Sequence, residues 1–313
     1  MRCHFLSLNV HFYQRDILRI PIFTDDAGWH GDQLKHAFSE RGVEAIFVSL
    51  QSCSLNLSGT QAVVEIPEFE YGQLPKAVFV RGVAGGTLQQ VITRLNILHI
   101  LSILGVRIYN DVKAIERTVD KAMTSFLLLH HGVSTPATWV CESRAQLEQI
   151  RLKAKKNKHQ LVLKPLFGSQ GQGVRKLLVD DAMPVPMQQF VDGVYYLQQL
   201  IESAEAPHDY RVFVIAGQVV ATMKRVGLDW VNNVAAGARC EAIEPNAILN
   251  QLALQAANAL AIDYCGVDII EAVDGEYLVL EVNSIPAWKG LQSVTEVNIA
   301  KLLVDDFLSK VND

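Results

Sequence analysis

An Asp274-Gly275 pair between two apolar runs is the feature that most constrains the fold of this chain, because such a pair is a strong signal for a β-hairpin. If the turn consists of these two residues alone, the strand register places Asp268 directly opposite Glu281. Side chains alternate along a strand, so Asn283 lies on the same face as Glu281. The spacing therefore predicts that two carboxylates and one amide converge on one face of the hairpin.

Such a convergence of oxygen ligands is typical of a Mg²⁺ site. Like charges that face each other across two strands are destabilising unless a cation lies between them. Mg²⁺ prefers oxygen ligands and often bridges carboxylates and phosphates. The alternative is an ordinary solvated hairpin face, but Ile270, Val279 and Leu280 predict a strand pair with little exposed surface.

The composition is that of a globular protein without a dominant nucleic-acid surface. The chain has 313 residues, of which 50% are hydrophobic and 19% charged, and its formal net charge is -5. That charge argues against a protein held to nucleic acid by phosphate contacts. The N-terminus does not read as a signal peptide, and no apolar run reaches the roughly 20 residues of a membrane span. Because the five cysteines are scattered, we expect a cytoplasmic protein with reduced thiols. From its charge and its short apolar runs, we expect that it binds neither nucleic acid nor membranes.

The order of helix-like and strand-like segments predicts a mixed fold class, α/β followed by α+β, in three lobes. Residues 1–110 alternate the two segment types, with helices at 31–41 and 88–104 and strands at 45–50, 77–81 and 106–109, which predicts an open α/β lobe with a mostly parallel sheet. Residues 111–191 predict a central α+β lobe, with a helix at 119–131 and strands at 138–141 and 161–164. Residues 192–313 predict a second α+β lobe, with a helix at 247–261 between hairpins at Ala216-Gly217 and Asp274-Gly275.

A glycine-rich loop follows the apolar strand that ends at Lys164. It contains Gly168, Ser169, Gly171 and Gly173, and such a bare backbone can wrap phosphate oxygens with its N–H groups. The loop matches neither a Walker A motif nor a dinucleotide fingerprint. A flexible turn is the alternative, and Lys164 on an otherwise apolar strand favours an anion site.

A second candidate phosphate ligand, Lys121, lies near the start of the predicted helix 119–131. Thr118 is the predicted cap of that helix, and a capping box would have Glu or Gln where Lys121 stands. A cation in the first turn opposes the helix dipole, which makes a phosphate contact a plausible role. The alternative is an exposed lysine whose amine extends into water.

The segment Gln198-Gln199-Leu200-Ile201 reads as a strand whose backbone can pair with the edge of an adenine. Asp209 follows as a candidate ribose ligand. Arg211 and Arg225, on this strand and on its return strand, bring basic groups to the same region. Each residue has an ordinary structural explanation by itself, but their order along the chain does not.

That order resembles the ATP-grasp superfamily and, within it, the RimK-type α-L-glutamate ligases. The resemblance covers about residues 75–302, including the segments 280–286 and 290–292. It implies an N-terminal α/β lobe and two α+β lobes that grip ATP. It also implies ATP and Mg²⁺ as cofactors, with Mn²⁺ as a substitute for Mg²⁺, and activation of a carboxylate as an acylphosphate that an amine then attacks.

The resemblance implies a role for each candidate residue. Those that would bind ATP are Lys121, Lys164, Gly168, Ser169, Gly171, Gly173, Gln198, Gln199, Leu200, Ile201 and Asp209. Asp268, Glu281 and Asn283 would bind Mg²⁺. The catalytic residues would be Arg211, Arg225 and Asn233.

By the same resemblance, the expected substrates are an acid-bearing small molecule and an amino acid, L-glutamate. Arg81, Gly85 and Gly86 follow a strand of the first lobe at the end where open α/β sheets bind ligands, so they are candidate substrate ligands. The segment 285–292 is similar to that of RimK-like ligases associated with tetrahydromethanopterin-type cofactors, which suggests a C1-carrier acid. We also expect a homo-oligomer. The alternatives are a ligase for another amino acid or for a peptide or protein C-terminus, and a catalytically silent nucleotide-binding module.

Overall fold

A computed structural model describes residues 17–168, 173–177, 193–227, 229–230 and 237–312 of the chain. Within these ranges the strands form three main sheets and a short two-stranded ribbon. In the same ranges no helix combines the length and the apolar character needed to cross a bilayer.

The first sheet is parallel, as the alternation of segments predicts. The elements of this region are β1 (Arg19–Phe23), α1 (Gly28–Ser39), β2 (Glu44–Val48), a 3-10 turn (Leu50–Ser52), β3 (Ser54–Asn56), β4 (Val63–Glu65), β5 (Ala77–Val80), α2 (Leu88–Ile103) and β6 (Arg107–Tyr109). Strands β2, β1, β5 and β6 lie side by side in that order, whereas β3 and β4 form the ribbon. Helices α1 and α2 provide crossovers that parallel strands require. Strand β1 and the ribbon are missing from the sequence prediction.

The predicted helix 119–131 is wrong at its start. The chain instead forms α3 (Val112–Val119) and α4 (Lys121–His130), with a break at Asp120. The Asp120 carboxylate accepts from the N–H groups of Ala122 at 2.8 Å and Met123 at 3.1 Å and so caps α4. Thr118, the predicted cap, lies inside α3, where its hydroxyl donates to the Ile115 carbonyl at 2.9 Å. Because the break falls at Asp120, Lys121 is the first residue of α4.

The second sheet is antiparallel. Its region contains β7 (Thr138–Cys141), α5 (Arg144–Lys156), β8 (Leu161–Lys164), β9 (Arg175–Leu177) and β10 (Tyr195–Gln199). The strand order is β7-β10-β8-β9. Helix α5 covers one face of this sheet, because its Leu147 and Ala154 side chains are buried in the same core as Leu163 and Leu197.

The third sheet is also antiparallel and is the largest. Its region contains β11 (His208–Ile215), β12 (Gln218–Val226), β13 (Arg239–Ala242), α6 (Ala247–Leu260), β14 (Tyr264–Glu271), β15 (Tyr277–Asn283), α7 (Lys289–Gln292) and α8 (Ile299–Asn312). The order is β13-β12-β11-β14-β15. Helix α6 packs on one face, where Leu249 and Leu260 share a core with Leu128 of α4. Helices α4 and α6 thus cover the same sheet.

The hairpin β14–β15 confirms the predicted pairing of Asp268 with Glu281, but by a different route. The two-residue turn is wrong, because the Ala272 N–H donates to the Glu276 carbonyl at 2.8 Å and three residues form the loop. A β-bulge between Asp268 and Ile269 then shifts the register. One extra residue of β15, Leu280, compensates for the longer turn and restores the Asp268–Glu281 pair.

The C-terminal helix α8 joins the first and third sheets. Its Phe307 is fully buried in a core that includes Phe79 of the first sheet and Phe213 of the third. The Tyr109 hydroxyl donates to the Asp306 carboxylate on α8 at 2.6 Å. This packing fixes the carboxyl ends of the first sheet against the loop that follows β15. The sequence prediction did not include α8.

Candidate active site

One cavity of about 870 Å³ lies between the sheets and contains most of the predicted site residues in its wall. The predicted residues that line it are Arg81, Lys121, Lys164, Gly168, Gln198, Gln199, Leu200, Ile201, Asp209, Arg211, Arg225, Asp268, Glu281 and Asn283. Gly85, Gly86 and Gly173 are not in this wall. Ser169, Gly171 and Asn233 lie outside the described residues. The fold therefore brings together side chains from all three sheets.

Four charged side chains of alternating sign cross the wall formed by the third sheet. Asp209 faces Arg225 on the neighbouring strand, and Arg211 faces Asp268 on the other side. Arg225 donates to both oxygens of Asp209, at 2.6 and 2.8 Å, and its Nη2 is 3.1 Å from an Asp268 oxygen. Arg211 donates to both oxygens of Asp268. The period of two along each strand explains why these residues share one face.

Burial and pairing determine the charge of this row. Burial raises the pKa of Asp209 to about 6 against the opposing effect of Arg225, so this carboxyl is still mostly ionised at neutral pH. Burial also favours protonation of Asp268, but Arg211 and Arg225 outweigh it and keep the pKa of that carboxyl below its usual value. Burial disfavours the charged form of Arg225, yet Asp268 and Asp209 raise its pKa. Asp209, Asp268 and Arg225 are therefore charged at neutral pH.

Room for Arg211 comes from a glycine that sequence reasoning missed. Gly266 lies on β14 two residues before Asp268, and a Cβ atom there would be 3.0 Å from Cδ of Arg211 and 2.9 Å from Cβ of Pro286. Both distances are shorter than a Cβ atom normally allows, so a larger residue at position 266 would displace its neighbours. A glycine inside an apolar strand is the signal that could have found this close approach.

The donor set for a metal consists of two acids and one amide. Asp268 lies within hydrogen-bonding reach of Glu281, and the Asn283 amide donates to the Glu281 carboxylate at 3.1 Å. In the described ranges no group of three or more His, Cys, Asp or Glu side chains could hold a metal ion, so this site depends on the amide oxygen as well. Two adjacent carboxylates with an amide suit Mg²⁺, which prefers hard oxygen donors. The residues present therefore fit the ion that the sequence predicts.

Lys121 connects helix α4 to the glycine-rich loop. Its amine donates to the carbonyls of Gly168 at 2.8 Å and Leu166 at 3.4 Å. Burial lowers the pKa of Lys121, although Glu281 and Asp120 oppose this effect. At the far end of the loop, Gly173 has a φ of +72°, and a Cβ there would lie 2.8 Å from Cγ of Pro165. The loop can therefore keep this turn only with glycine at position 173.

Lys164 is the more deeply buried lysine of the cavity. Its amine donates to the Gln198 side-chain oxygen at 2.5 Å across the β8–β10 strand pair. Burial lowers its pKa, with an opposing effect from Glu281. In the described part of the chain no carboxylate lies within ion-pairing distance of the amines of Lys164 or Lys121. Gln198 thus orients a cation, a role that its place in the sequence did not predict.

The segment after β10 presents backbone groups to the cavity. The Gln199 N–H donates to the Ala137 carbonyl, and the Leu200 N–H donates to the Gln160 carbonyl, both at 2.8 Å. Among the described residues no acceptor takes the Ile201 N–H. A planar nitrogen heterocycle bound in this part of the cavity would find that donor free.

The end of the cavity nearest the first sheet contains Arg81. Its Nη1 donates to the Ile285 carbonyl at 3.2 Å, and its guanidinium lies 5.0 Å from the centre of the Trp288 ring. Gly85 and Gly86 belong to a neighbouring loop, whose Ala84 and Gly85 carbonyls accept from Arg94 at 2.7 and 2.8 Å. That loop is held by Arg94 away from the cavity wall.

Sequence reasoning also missed His30 and Lys289, which line the cavity beside Arg81. His30 lies in the first turn of helix α1, which follows strand β1, whereas Arg81 directly follows β5. Because the carboxyl ends of parallel strands lie along one edge of a sheet, the rule that identified Arg81 could also have identified His30. No comparable signal marks Lys289, which reaches this edge only through the packing of the C-terminal segment.

Comparisons with known proteins agree with this architecture. Residues 118–307 match the family described as the RimK-like ATP-grasp domain. The tetrahydromethanopterin:alpha-L-glutamate ligase of Methanococcus maripaludis is 29% identical over 298 residues, which cover 93% of this chain and 98% of that protein. The protein of the same name from Methanocaldococcus jannaschii is 37% identical over 212 residues, covering 65% of this chain and 71% of that protein.

A solved structure shows the same fold. The ATP-grasp ligase PsnB, in complex with a minimal precursor, superposes with a TM-score of 0.71 and 21% sequence identity. The match covers 94% of this chain and 99% of that chain. At this identity the likeness concerns the fold alone, and it confirms the predicted ATP-grasp fold with mixed helix and sheet content.

Proposed function

Because the chain belongs to the RimK-like ATP-grasp family, we propose that it is an ATP-dependent ligase that joins a carboxylate to the amine of an amino acid. One observation carries this proposal: a single cavity contains an oxygen-donor cluster, two arginines fixed by acids, and two part-buried lysines that have no carboxylate partner among the described residues. Those are the groups needed to bind a nucleotide triphosphate with its metal ion and to stabilise charge during acyl transfer.

ATP, with Mg²⁺ on its phosphates, supplies the phosphoryl group that activates the acid and offsets the charge of the transfer. Asp268, Glu281 and Asn283 would hold the metal ion, and Mn²⁺ would substitute because it accepts the same oxygen donors. Lys121 and Lys164 would hold phosphate oxygens. Both lysines are in place before a ligand binds, since Gly168 and Gln198 fix their amines.

The adenosine would occupy the part of the cavity beside the segment after β10. The free Ile201 N–H would donate to the base, while Gln199 and Leu200 shape the wall with their backbones. Asp209 already accepts from Arg225, but each carboxylate oxygen has a second lone pair for a ribose hydroxyl. Gly168 and Gly173, with the predicted ligands Ser169 and Gly171, would cover the phosphates.

Arg211 and Arg225 would provide fixed positive charge where negative charge develops on the transferred group. Because Asp268 and Asp209 hold the two guanidiniums, little reorganisation is required at the moment of reaction. The third predicted catalytic residue, Asn233, stays a prediction from the sequence alone.

For the substrates we propose L-glutamate as the amine and a small acid of the C1-carrier type as its acceptor. Support comes from the names of the two archaeal relatives, one of which aligns over almost the whole chain. Ligation of another amino acid, or to a peptide or protein C-terminus, is the alternative. Gly85 and Gly86 would act by shaping the loop beside Arg81. A homo-oligomeric state and a cytoplasmic location stay predictions.

We further propose three lobes with boundaries near residues 110 and 191. The first sheet falls within residues 1–110 and the third within 192–313, which supports the division, whereas strand β10 of the second sheet lies a few residues beyond 191. Helix α4 nevertheless contributes Leu128 to the core of the third sheet, so the central lobe is tied to its neighbour through that helix.

The test is release of ADP from ATP and Mg²⁺ with L-glutamate and a panel of small acids. We expect ADP release that requires both an acid and an amine. Glu281→Gln should reduce the rate at least about 100-fold, because it removes one charged metal ligand. Glu276→Gln, on the exposed end of the same hairpin, is the matched control and should retain full activity.

Two results would contradict the proposal. One is ATP turnover that ignores the acid and the amine, which is what a simple ATPase would show. The other is no turnover with any acid, together with nucleotide binding that Glu281→Gln leaves unchanged, which is what a silent binding module would show.

A further inference from the structure

The end of the cavity nearest the first sheet carries positive charge that the described part of the protein leaves uncompensated. Arg81 makes one hydrogen bond, to a backbone carbonyl, and its Nε is buried without an acceptor among the described residues. Its polar neighbours there include His30, Lys289 and Tyr264, and in the described ranges no carboxylate forms an ion pair with it. A buried guanidinium without an acid is costly unless an anion from outside binds it.

His30 adds a polar donor to the same place. Its Nε2 accepts from the backbone N–H groups of Trp288 at 3.0 Å and Lys289 at 3.2 Å. A ring nitrogen that accepts carries no hydrogen, so Nδ1 of the neutral ring is a donor. Burial, together with Arg81 and Lys289, lowers the pKa of His30 to about 4, which keeps the ring neutral at physiological pH.

A third group without an acceptor in the described part of the chain lies beside Arg81 and His30, although it is fully buried and does not line the cavity. The Trp288 ring stacks beneath the Arg81 guanidinium and beside His30, with ring centres 4.6 Å apart in the second case. Its indole N–H is buried and has no acceptor in the described part of the chain. Arg81, the ring of His30 and Lys289 line the cavity, so hydrogen-bond donors outnumber acceptors at this end.

We propose that Arg81, His30 and Lys289 form a subsite for a carboxylate of the incoming amino acid, one that does not react. This proposal rests on the proposed ligase function. It specifies which group of the amino acid the cavity binds. Arg81 would bind the carboxylate through its free edge. Lys289 would add a second positive charge at the mouth of the cavity, and His30 would position the Trp288–Lys289 backbone.

The assignment to the amine substrate rests on the segment 285–287, which contacts both Arg81, beside the first sheet, and Arg211, on the third sheet. The Ile285 carbonyl accepts from Arg81, and the Ala287 carbonyl accepts from Arg211 at 3.3 Å. The carboxylate to be activated must lie at the phosphate end, beside Arg211. An anion at Arg81 is therefore an unreacting carboxylate next to that point, the place from which an amine must approach.

The test measures binding without turnover. Calorimetry would use the full chain with Mg²⁺, a non-hydrolysable ATP analogue and four probes: L-glutamate, 4-aminobutyrate, L-2-aminobutyrate and glutarate. We expect L-glutamate to bind. Each aminobutyrate lacks one of its two carboxylates, and the one that lacks the carboxylate held at Arg81 should bind at least about tenfold more weakly than L-glutamate. Arg81→Gln should weaken L-glutamate binding by about 10- to 100-fold and leave the affinity for the nucleotide analogue unchanged.

Two further variants keep the test decisive. Lys289→Gln changes an exposed side chain, should fold normally, and should weaken L-glutamate binding in the same direction by a smaller factor. Arg19→Gln is the matched control, because Arg19 lies on β1 of the same lobe and pairs with Glu44 away from the cavity. It should not change any affinity.

Three outcomes would overturn the subsite. The first is equal affinity for L-glutamate in Arg81→Gln, Lys289→Gln and the unaltered protein. The second is absence of L-glutamate binding to the unaltered protein, and the third is a loss confined to glutarate, the probe that carries carboxylates but no amine. Each is distinguishable from failure of the ligase function, because that function is judged by ADP release. If ADP release requires both substrates while Arg81→Gln binds L-glutamate normally, the ligase stands and only the subsite is wrong.

Discussion

The positive charges of the cavity are compensated in two different ways. Along the third sheet, Arg211 and Arg225 each donate to both oxygens of a carboxylate. At the glycine-rich loop and the first sheet, Lys121, Lys164 and Arg81 contact carbonyl or amide oxygens and, within the described residues, no acid. We call these the paired end and the unpaired end.

The difference separates structural from ligand-dependent charge. In the paired end the protein itself supplies the counter-charges, so the arginines keep their positions whether or not a ligand is bound. In the unpaired end the cost of burial stays with the free protein until an anion binds. Ligand affinity and protein stability should therefore respond to substitution in opposite ways at the two ends.

The largest effect is expected from Arg225→Gln, at the paired end. This change leaves the Asp209 and Asp268 carboxylates buried near each other without the cation they share. We expect the free energy of unfolding to fall by about 3–5 kcal/mol, as is usual when one partner of a buried ion pair is removed. Urea denaturation of the ligand-free protein measures it.

Two comparisons sharpen that result. Arg239→Gln, on the neighbouring strand β13, removes an exposed arginine paired with Glu241 and should cost less than about 0.5 kcal/mol. Adding Asp209→Asn to Arg225→Gln should restore part of the lost stability, because it removes one of the two carboxylates. If Arg225→Gln and Arg239→Gln were equally mild, the paired end would not be held by its charges.

A smaller and opposite effect is expected from Lys164→Met, at the unpaired end. The substitution replaces a buried amine that no acid of the described residues contacts, so the ligand-free protein should keep its stability or gain up to about 1 kcal/mol. Affinity for ATP should fall by about 2–3 kcal/mol, or roughly 30- to 150-fold, because a charge-assisted phosphate contact is lost. Denaturation and nucleotide titration of the same sample measure both quantities.

The matched control is Lys176→Met, which changes another lysine of the cavity wall whose amine lies 5.0 Å from the Trp230 ring. It should affect nucleotide affinity less. A loss of stability in Lys164→Met comparable to that of Arg225→Gln would contradict the division into two ends.

The paired end was largely predictable from the sequence, because its residues lie at regular spacings on neighbouring strands. Even the Asp268–Glu281 pair was predicted correctly, although two local errors cancelled: the turn is longer than expected, and a bulge compensates for it. Neither the turn nor the bulge has a signal beyond Asp274-Gly275. Local rules thus gave the residue pair but not the geometry that produces it.

The unpaired end was only half predictable, because it depends on packing between distant segments. Arg81 was found from its place after a strand, but the contact of His30 with the Lys289 backbone joins residues far apart in the chain. That contact requires the C-terminal helix α8, which was not predicted, to pack against the first sheet. Arg211, Arg225 and Asp268 were expected in the site, but their ion pairs were not. The room that Gly266 leaves for the Arg211 side chain was not expected either.

The smallest expected effect concerns the pH dependence of the unpaired end, through His30. Burial, with Arg81 and Lys289, lowers the pKa of His30 from 6.5 to about 4. Between these values the unfolded chain binds a proton that the folded protein does not, so stability falls as the pH decreases. The contribution of the neutral ring is complete above pH 6.5 and is lost by about pH 4, and partial exposure limits it to about 1–2 kcal/mol.

The variant His30→Gln isolates this effect, because the glutamine oxygen can still accept from the Trp288 and Lys289 N–H groups but does not titrate. Urea denaturation between pH 4 and 7.5 should show the unaltered protein losing about 1–2 kcal/mol relative to His30→Gln as the pH falls. His36→Gln, on the exposed face of the same helix, is the control. Parallel curves for the unaltered protein and His30→Gln would mean that neither burial nor the positive charge of Arg81 and Lys289 disfavours protonation of the ring.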